Sequence, residues 1–199
     1  MSATYPPAEQ RFVLATANPD KVIEIRELME GLDLLARPSN VPDVEETGDT
    51  LEENARLKAR ALVEATGIAA IADDTGLFVD ALDGKPGIHS ARFAGEHATY
   101  ADNVDLMLAV MEDVGSEDRS AYFATVALAR YPDGRELIAE GRVLGVIATE
   151  PRGEGMGYDP IFEPEGSGGL TFGELGMEGK QRISHRARAF RVLRVNMGL

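Results

Sequence analysis

The stretch Ile68-Ala69-Ala70-Ile71-Ala72-Asp73-Asp74-Thr75-Gly76-Leu77-Phe78-Val79 decides how the rest of the chain is read. Residues 68–72 are uniformly apolar, the mark of a strand buried on both faces. They run straight into two carboxylates, and strand character resumes over residues 76–82. Acids at the end of a strand sit where α/β proteins commonly build their sites. Two adjacent carboxylates are hard to keep ionised together without a cation nearby. A divalent metal relieves that repulsion, and oxygen ligands select Mg²⁺ or Mn²⁺. Successive strand residues point to opposite faces, so one of Asp73 and Asp74 is expected to face the site directly. A turn capped by Asp accounts for the same residues, and the stretch alone leaves both readings open.

Upstream, residues 11–16 (RFVLAT) read as a short buried strand. A helix follows from Lys21 to about Gly31, with Asp20 as its expected N-cap and Val22, Ile25, Leu28, Met29 and Leu32 at helical spacing. Thr50 opens a second helix with Glu53 three residues later, the capping-box pattern. Leu51, Ala55, Ala59 and Leu62 form its inner stripe, and Gly67 ends it. Asn54 and Lys58 lie one turn apart and share a face. Lys58 borders the apolar stripe, where an ammonium calls for an anionic partner, and it is a candidate substrate contact.

Downstream, residues 83–87 are turn material, and residues 100–114 carry Val104, Met107, Leu108, Met111 and Val114 on one helical face. Two long β segments, 120–131 and 136–148, flank Pro132-Asp133-Gly134-Arg135 and predict a hairpin. Residues 153–169 read as a glycine-rich loop. The basic block from Lys180 is expected to close the chain as one helix with Ile183, Ala187, Phe190, Leu193 and Met197 inward. No repeat or linker divides the chain. The expected architecture is α/β: a long mixed sheet flanked by helices, in a single domain, and not a regular doubly wound fold.

Composition narrows the function. The chain has 199 residues, 34 acidic and 20 basic side chains, a formal charge of −14, and no cysteine or tryptophan. This charge disfavours nucleic-acid polymers and anionic membranes, which both attract basic surfaces. The missing cysteines exclude disulfides, thiolate metal sites and a cysteine nucleophile. No apolar run is long enough to span a bilayer and no signal peptide is visible, so a cytoplasmic protein is expected. The charge is also blocked. Residues 38–55 carry six acids and no base, and residues 180–199 carry six bases and no acid. Solvated surfaces explain such blocks, as does an acidic metal-holding side opposed to a basic anion-holding one.

Four further segments can carry chemistry. Thr16-Ala17-Asn18-Pro19-Asp20-Lys21 is a strand end, a polar turn and a helix start, which suits phosphate because the first amides of a helix are unpaired. An ordinary capped βα loop reads the same way, and neither a Walker loop nor a dinucleotide fingerprint is present. Glu45-Glu46-Thr47-Gly48 supplies a further carboxylate or a plain acidic turn. Residues 153–162 (GEGMGYDPIF) hold three glycines, which let backbone approach a ligand, and apolar neighbours able to cover a flat ring. His185 and Arg186 can donate to carbonyl or phosphate oxygens.

Taken together, TANPDKVIEI, EETGDTLEENARLKARA, IADDTGLFVDALDGKPGIHSARFAG, GYDPIFEPEG and KQRISHRA run from Thr16 to Ala187. In this order they resemble the inosine/xanthosine triphosphate pyrophosphatases. The resemblance implies two lobes with a central active-site cleft, a homodimer, and Mg²⁺-dependent hydrolysis of noncanonical purine nucleoside triphosphates to NMP and pyrophosphate. By motif position, Thr16, Ala17, Asn18, Pro19, Asp20 and Lys21 resemble the triphosphate-binding turn. Glu46 and Asp74 resemble metal ligands, with Asp74 also the proton acceptor, Asp73 supporting the metal and Thr75 contacting substrate. Met156, Gly157, Tyr158, Asp159, Lys180, His185 and Arg186 resemble the remaining substrate contacts. Two positions depart from the pattern: Ala17 stands where the family usually has Gly, and Met156 where it usually has Phe. The rival expectations are a septum-type pyrophosphatase for pyrimidine or modified nucleotides, and a nucleotide sensor without catalysis.

Overall fold

In the computed structural model, which describes residues 11–199, the chain enters a sheet with β1 (Arg11–Leu14) and turns into α1 (Pro19–Leu28). It returns through β2 (Asp33–Leu35) and, after α2 (Leu51–Thr66), reaches β3 (Ala69–Val79). β4 (Pro86–Gly87), α3 (Tyr100–Val110), β5 (Ser120–Arg130), β6 (Glu136–Ile147), β7 (Phe162–Pro164), α4 (Phe172–Ile183) and α5 (His185–Met197) follow. The sheet order is β2-β1-β3-β5-β6-β7, with β4 also on β3. β1 runs parallel to β2 and β3, β4 antiparallel to β3, and β7 antiparallel to β6. The architecture is the expected mixed α/β sheet with flanking helices.

β3 corrects the reading of the paired acids. Asp73 and Asp74 lie inside one uninterrupted 11-residue strand, not at its end and not in a turn. The physical reason is burial on both sides of the pair. Ala69 and Ile71 pack in one core with Phe12, Leu14, Ile25, Met29 and Phe190. Leu77 and Val79 pack in another with Met107, Phe123, Val143 and Phe162. The chain accordingly forms two compact units, residues 11–74, 125–141 and 187–199 in the first and 75–124 and 142–186 in the second. β3, β5 and β6 each give a segment to both.

Helix ends show where local chemistry differs from periodicity. The N-cap of α1 is Asn18, not Asp20: its side-chain oxygen accepts from the amides of Asp20 (2.9 Å) and Lys21 (3.3 Å), and Pro19 takes the first helical position. Thr50 caps α2 as expected, accepting from the Glu53 amide at 3.1 Å, but Glu53 reaches back to the Asp49 amide at 2.7 Å. Gly67 ends the helix at φ 68°. The basic block is not one helix. Ser184 is extended (φ −65°, ψ 155°), so α4 ends there and His185 and Arg186 open α5.

In the second unit, Arg119 is buried and its guanidinium donates to four carbonyls. Two, Met111 (2.7 Å) and Val114 (3.3 Å), follow α3, and two, Ile147 (2.7 Å) and Ala148 (2.9 Å), close β6. Carbonyls at a helix C-terminus lack intrahelical donors, and this side chain supplies them. The same unit has an apolar sheet face on the side opposite its core. Phe78 and Tyr122 stack there at 4.8 Å, and Arg142 covers the Tyr122 ring at 4.3 Å. On the neighbouring strand Leu144 and Val146 are 49% and 38% exposed. Among the described residues no helix is long and apolar enough to cross a membrane.

Candidate active site

The turn after β1 is fixed by two side-chain caps. Thr16 Oγ1 accepts from the Asn18 amide at 3.1 Å, and Asn18 caps the helix that begins at Pro19. Ala17 fits without strain: among the described residues Asp83 is the only non-glycine with positive φ. An open cavity of about 730 Å³ flanks this turn, lined by Thr16, Ala17, Pro19, Ile23, Arg37 and Pro42, among others. Lys21, in the first turn of α1, pairs with Asp73 Oδ2 at 3.1 Å.

Strand alternation separates the two acids, as expected. Asp73 shares its face with Ala69 and Ile71, which pack with Ile25 of α1 and with Met29 at its C-cap, and so meets Lys21 of that helix. Asp74 points the other way, to α2. There Lys58 Nζ donates to Asp74 Oδ1 at 2.7 Å and to Glu46 Oε1 at 3.2 Å. Asn54, fully buried, donates to Asp74 Oδ2 at 3.5 Å while its oxygen accepts from the Gly48 amide at 2.9 Å. One face of α2 therefore fixes both the acidic segment around Glu46 and the strand acid. Asn54 is absent from the expected site residues, and its signal in the sequence is the face it shares with Lys58.

Burial raises the Asp74 carboxyl above its ordinary pKa; Lys58 and Lys21 oppose the shift, while the Glu46 charge adds to it. Burial works against the Lys58 ammonium, but the charges of Asp74, Asp73 and Glu46 outweigh it and hold its pKa above the usual lysine value. Among the described residues no three His, Asp or Glu side chains cluster as a metal-ligand set. The donor chemistry nevertheless fits a hard divalent cation, because two carboxylate oxygens, Glu46 Oε1 and Asp74 Oδ1, already converge on one positive charge.

The second unit gathers the remaining expected residues. Asp159 Oδ2 accepts from the Met156 amide (3.0 Å) and from Lys180 Nζ (2.7 Å), so a buried ion pair closes the loop 156–159. Gly155 is required here: a Cβ would stand 2.6 Å from the Asp159 Cβ. Gly157 takes φ 61°. Tyr158 is buried, with its hydroxyl donating to Ser90 O at 2.9 Å, and burial pushes its pKa far up. Lys180 and Tyr158 thus hold the loop, whereas Met156 is only partly covered. His185 is 3% exposed and lies flat on Phe123 at 4.5 Å. Arg186 is 1% exposed, and its Nη2 donates to Thr75 Oγ1 at 3.3 Å.

A model of the Ham1 family matches residues 12–195. The chain is 49% identical over 190 residues to the dITP/XTP pyrophosphatase of Streptomyces coelicolor, covering 92% of this chain and 94% of that protein. The Ham1 protein of Staphylococcus aureus superposes with TM-score 0.83 at 37% identity, over 94% of this chain and 98% of that one. The dITP/XTP pyrophosphatase structure from Mycobacterium abscessus gives TM-score 0.73 at 44% identity, over 92% and 98%. By its motifs, its strand order and these matches, the chain belongs to the Ham1 family.

Proposed function

We propose that this chain hydrolyses noncanonical purine nucleoside triphosphates (ITP, dITP and XTP) to the monophosphate and pyrophosphate, removing them from the cytoplasmic nucleotide pool. The observation that carries the reading is the buried Asp74 carboxylate, fixed on one oxygen by Lys58 and on the other by Asn54. Its raised pKa suits a group that takes a proton from water. Asp74 orients the attacking water and accepts its proton as the water oxygen bonds to the α-phosphorus, and pyrophosphate leaves in the same step. Lys21, in the first turn of α1, holds the phosphates beside the turn at residues 16–21. Glu46 and Asp74 would hold Mg²⁺, or Mn²⁺ in its place, with Asp73 behind them. When bound, the cation neutralises charge on the phosphate oxygens. His185 and Arg186 contact the base side and Thr75 contacts the substrate, with Met156 covering the ring.

The test is product stoichiometry. With dITP and Mg²⁺ the protein should release monophosphate and pyrophosphate in equal amounts, and a chelator should stop it. Orthophosphate as the product, or a rate untouched by chelation, overturns the reading.

A homodimer is part of the proposal. Its support is the sheet face bearing Phe78, Tyr122, Leu144 and Val146, an apolar surface of the kind that interfaces cover. Leu144→Asp should convert the dimer to monomer in sedimentation velocity at micromolar concentration. A parent protein that sediments as a monomer overturns the dimer, and an unchanged dimer in the variant removes this face as its interface.

A further inference from the structure

The Lys58 ammonium is placed as a cation would be. It bridges two carboxylates from different segments, Glu46 in the loop before α2 and Asp74 in β3, at 3.2 and 2.7 Å. The side chains of all three are largely withdrawn from solvent. The acceptors are built from the helix that carries the lysine, since Asn54, one turn earlier, ties the Gly48 amide and Asp74 to the same face. An ammonium has three donors and no acceptor, so two carboxylate oxygens satisfy most of it. A divalent ion taking the same two oxygens would stand a few ångströms from that charge, where like charges repel strongly. The lysine stem is a flexible four-carbon chain and can carry its head away.

We propose that Lys58 is the resident counter-ion of the metal site: it neutralises Glu46 and Asp74 while the metal is absent and must leave their oxygens for the metal to load. This rests on the reading that Glu46 and Asp74 bind the metal. It changes the role expected for Lys58 from a standing substrate contact to an exchangeable cation, released toward the nucleotide's own oxygens only on loading. Metal binding without nucleotide is then weak because it must expel the ammonium. Nucleotide binding strengthens it, since the phosphates give the expelled charge a new partner.

The experiment measures Mn²⁺ binding to the nucleotide-free protein by electron paramagnetic resonance of free Mn²⁺. Lys58→Met should bind Mn²⁺ about tenfold or more tighter than the parent, the size of a usual coupling between competing sites. Glu46→Gln added to that variant should remove the gain. Equal or weaker binding by Lys58→Met, with Glu46→Gln still lowering affinity, overturns the counter-ion role and leaves the metal site standing. Binding that Glu46→Gln does not change in either background overturns both. A second readout needs no variant. In the parent protein, acylation of Lys58 by an N-hydroxysuccinimide ester, mapped by mass spectrometry, should rise several-fold with saturating Mn²⁺, and an unchanged rate overturns the proposal.

Discussion

Asp74→Asn is expected to lower pyrophosphate release by about 10³-fold, within the range a positioned general base contributes, while nucleotide affinity stays within a few-fold of the parent. The amide keeps the shape of the carboxylate, and its oxygen can still accept from Lys58. What it loses is basicity, together with one charged oxygen for the metal: no group at that position can take the proton of the attacking water. Glu46 remains beside Lys58 at 3.2 Å, so the ammonium keeps a counter-charge and the local structure has reason to survive. Single-turnover pyrophosphate release and equilibrium nucleotide binding, measured on the same preparation, separate the two effects. Near-normal release by this variant removes Asp74 from the catalytic role.

Discrimination among bases is the second large effect. ITP, dITP and XTP should exceed ATP in kcat/KM by about 10⁴-fold, the size reached when a wrong substrate leaves buried polar groups unpaired. The hypoxanthine and xanthine rings carry a carbonyl at C6, an acceptor, where adenine carries an amino group, a donor. Arg186 has donors only and cannot become an acceptor. It is buried and tied to Thr75, so it has little freedom to turn away from a mismatched group. His185, flat on Phe123 and buried, is similarly fixed. Fixed donors reject by their inability to adapt. A substrate panel with comparable kcat/KM for ITP and ATP contradicts this account.

Much of the site is legible in the residues because each piece has a strong local signature. The acid pair after an apolar run marks β3, Thr50 with Gly67 brackets α2, and the Pro132–Arg135 turn marks the hairpin of β5 and β6. Four things escape. β2 and β7 are three residues each, too short for any period to show. The break at Ser184 has no glycine or proline to announce it, so the periodicity of the basic block runs straight across. The start of α4 does have a signal, Thr171 with Glu174 forming a full capping box, but it lies just past the glycine-rich loop, in a stretch whose own glycines at 173, 176 and 179 weaken a helical reading. The continuity of β3 through Asp73 and Asp74 is a tertiary effect. Carboxylates have poor strand propensity, and two lysines from two helices, Lys21 and Lys58, are what make their burial tolerable.

Arg119 has one more consequence. The ion pairs that hold the acidic segments, such as Arg56 with Glu136 at 2.9 Å and Lys180 with Asp159 at 2.7 Å, each depend on a carboxylate that acid can neutralise. Among the described residues the Arg119 anchor has no such partner, because all four of its acceptors are main-chain carbonyls that do not titrate in the accessible range. Burial lowers the pKa of its guanidinium, yet an arginine stays charged at any pH a folded protein meets. As the solution is acidified, the carboxylate clasps weaken one by one, while the join between the end of α3 and the end of β6 keeps its hydrogen bonds.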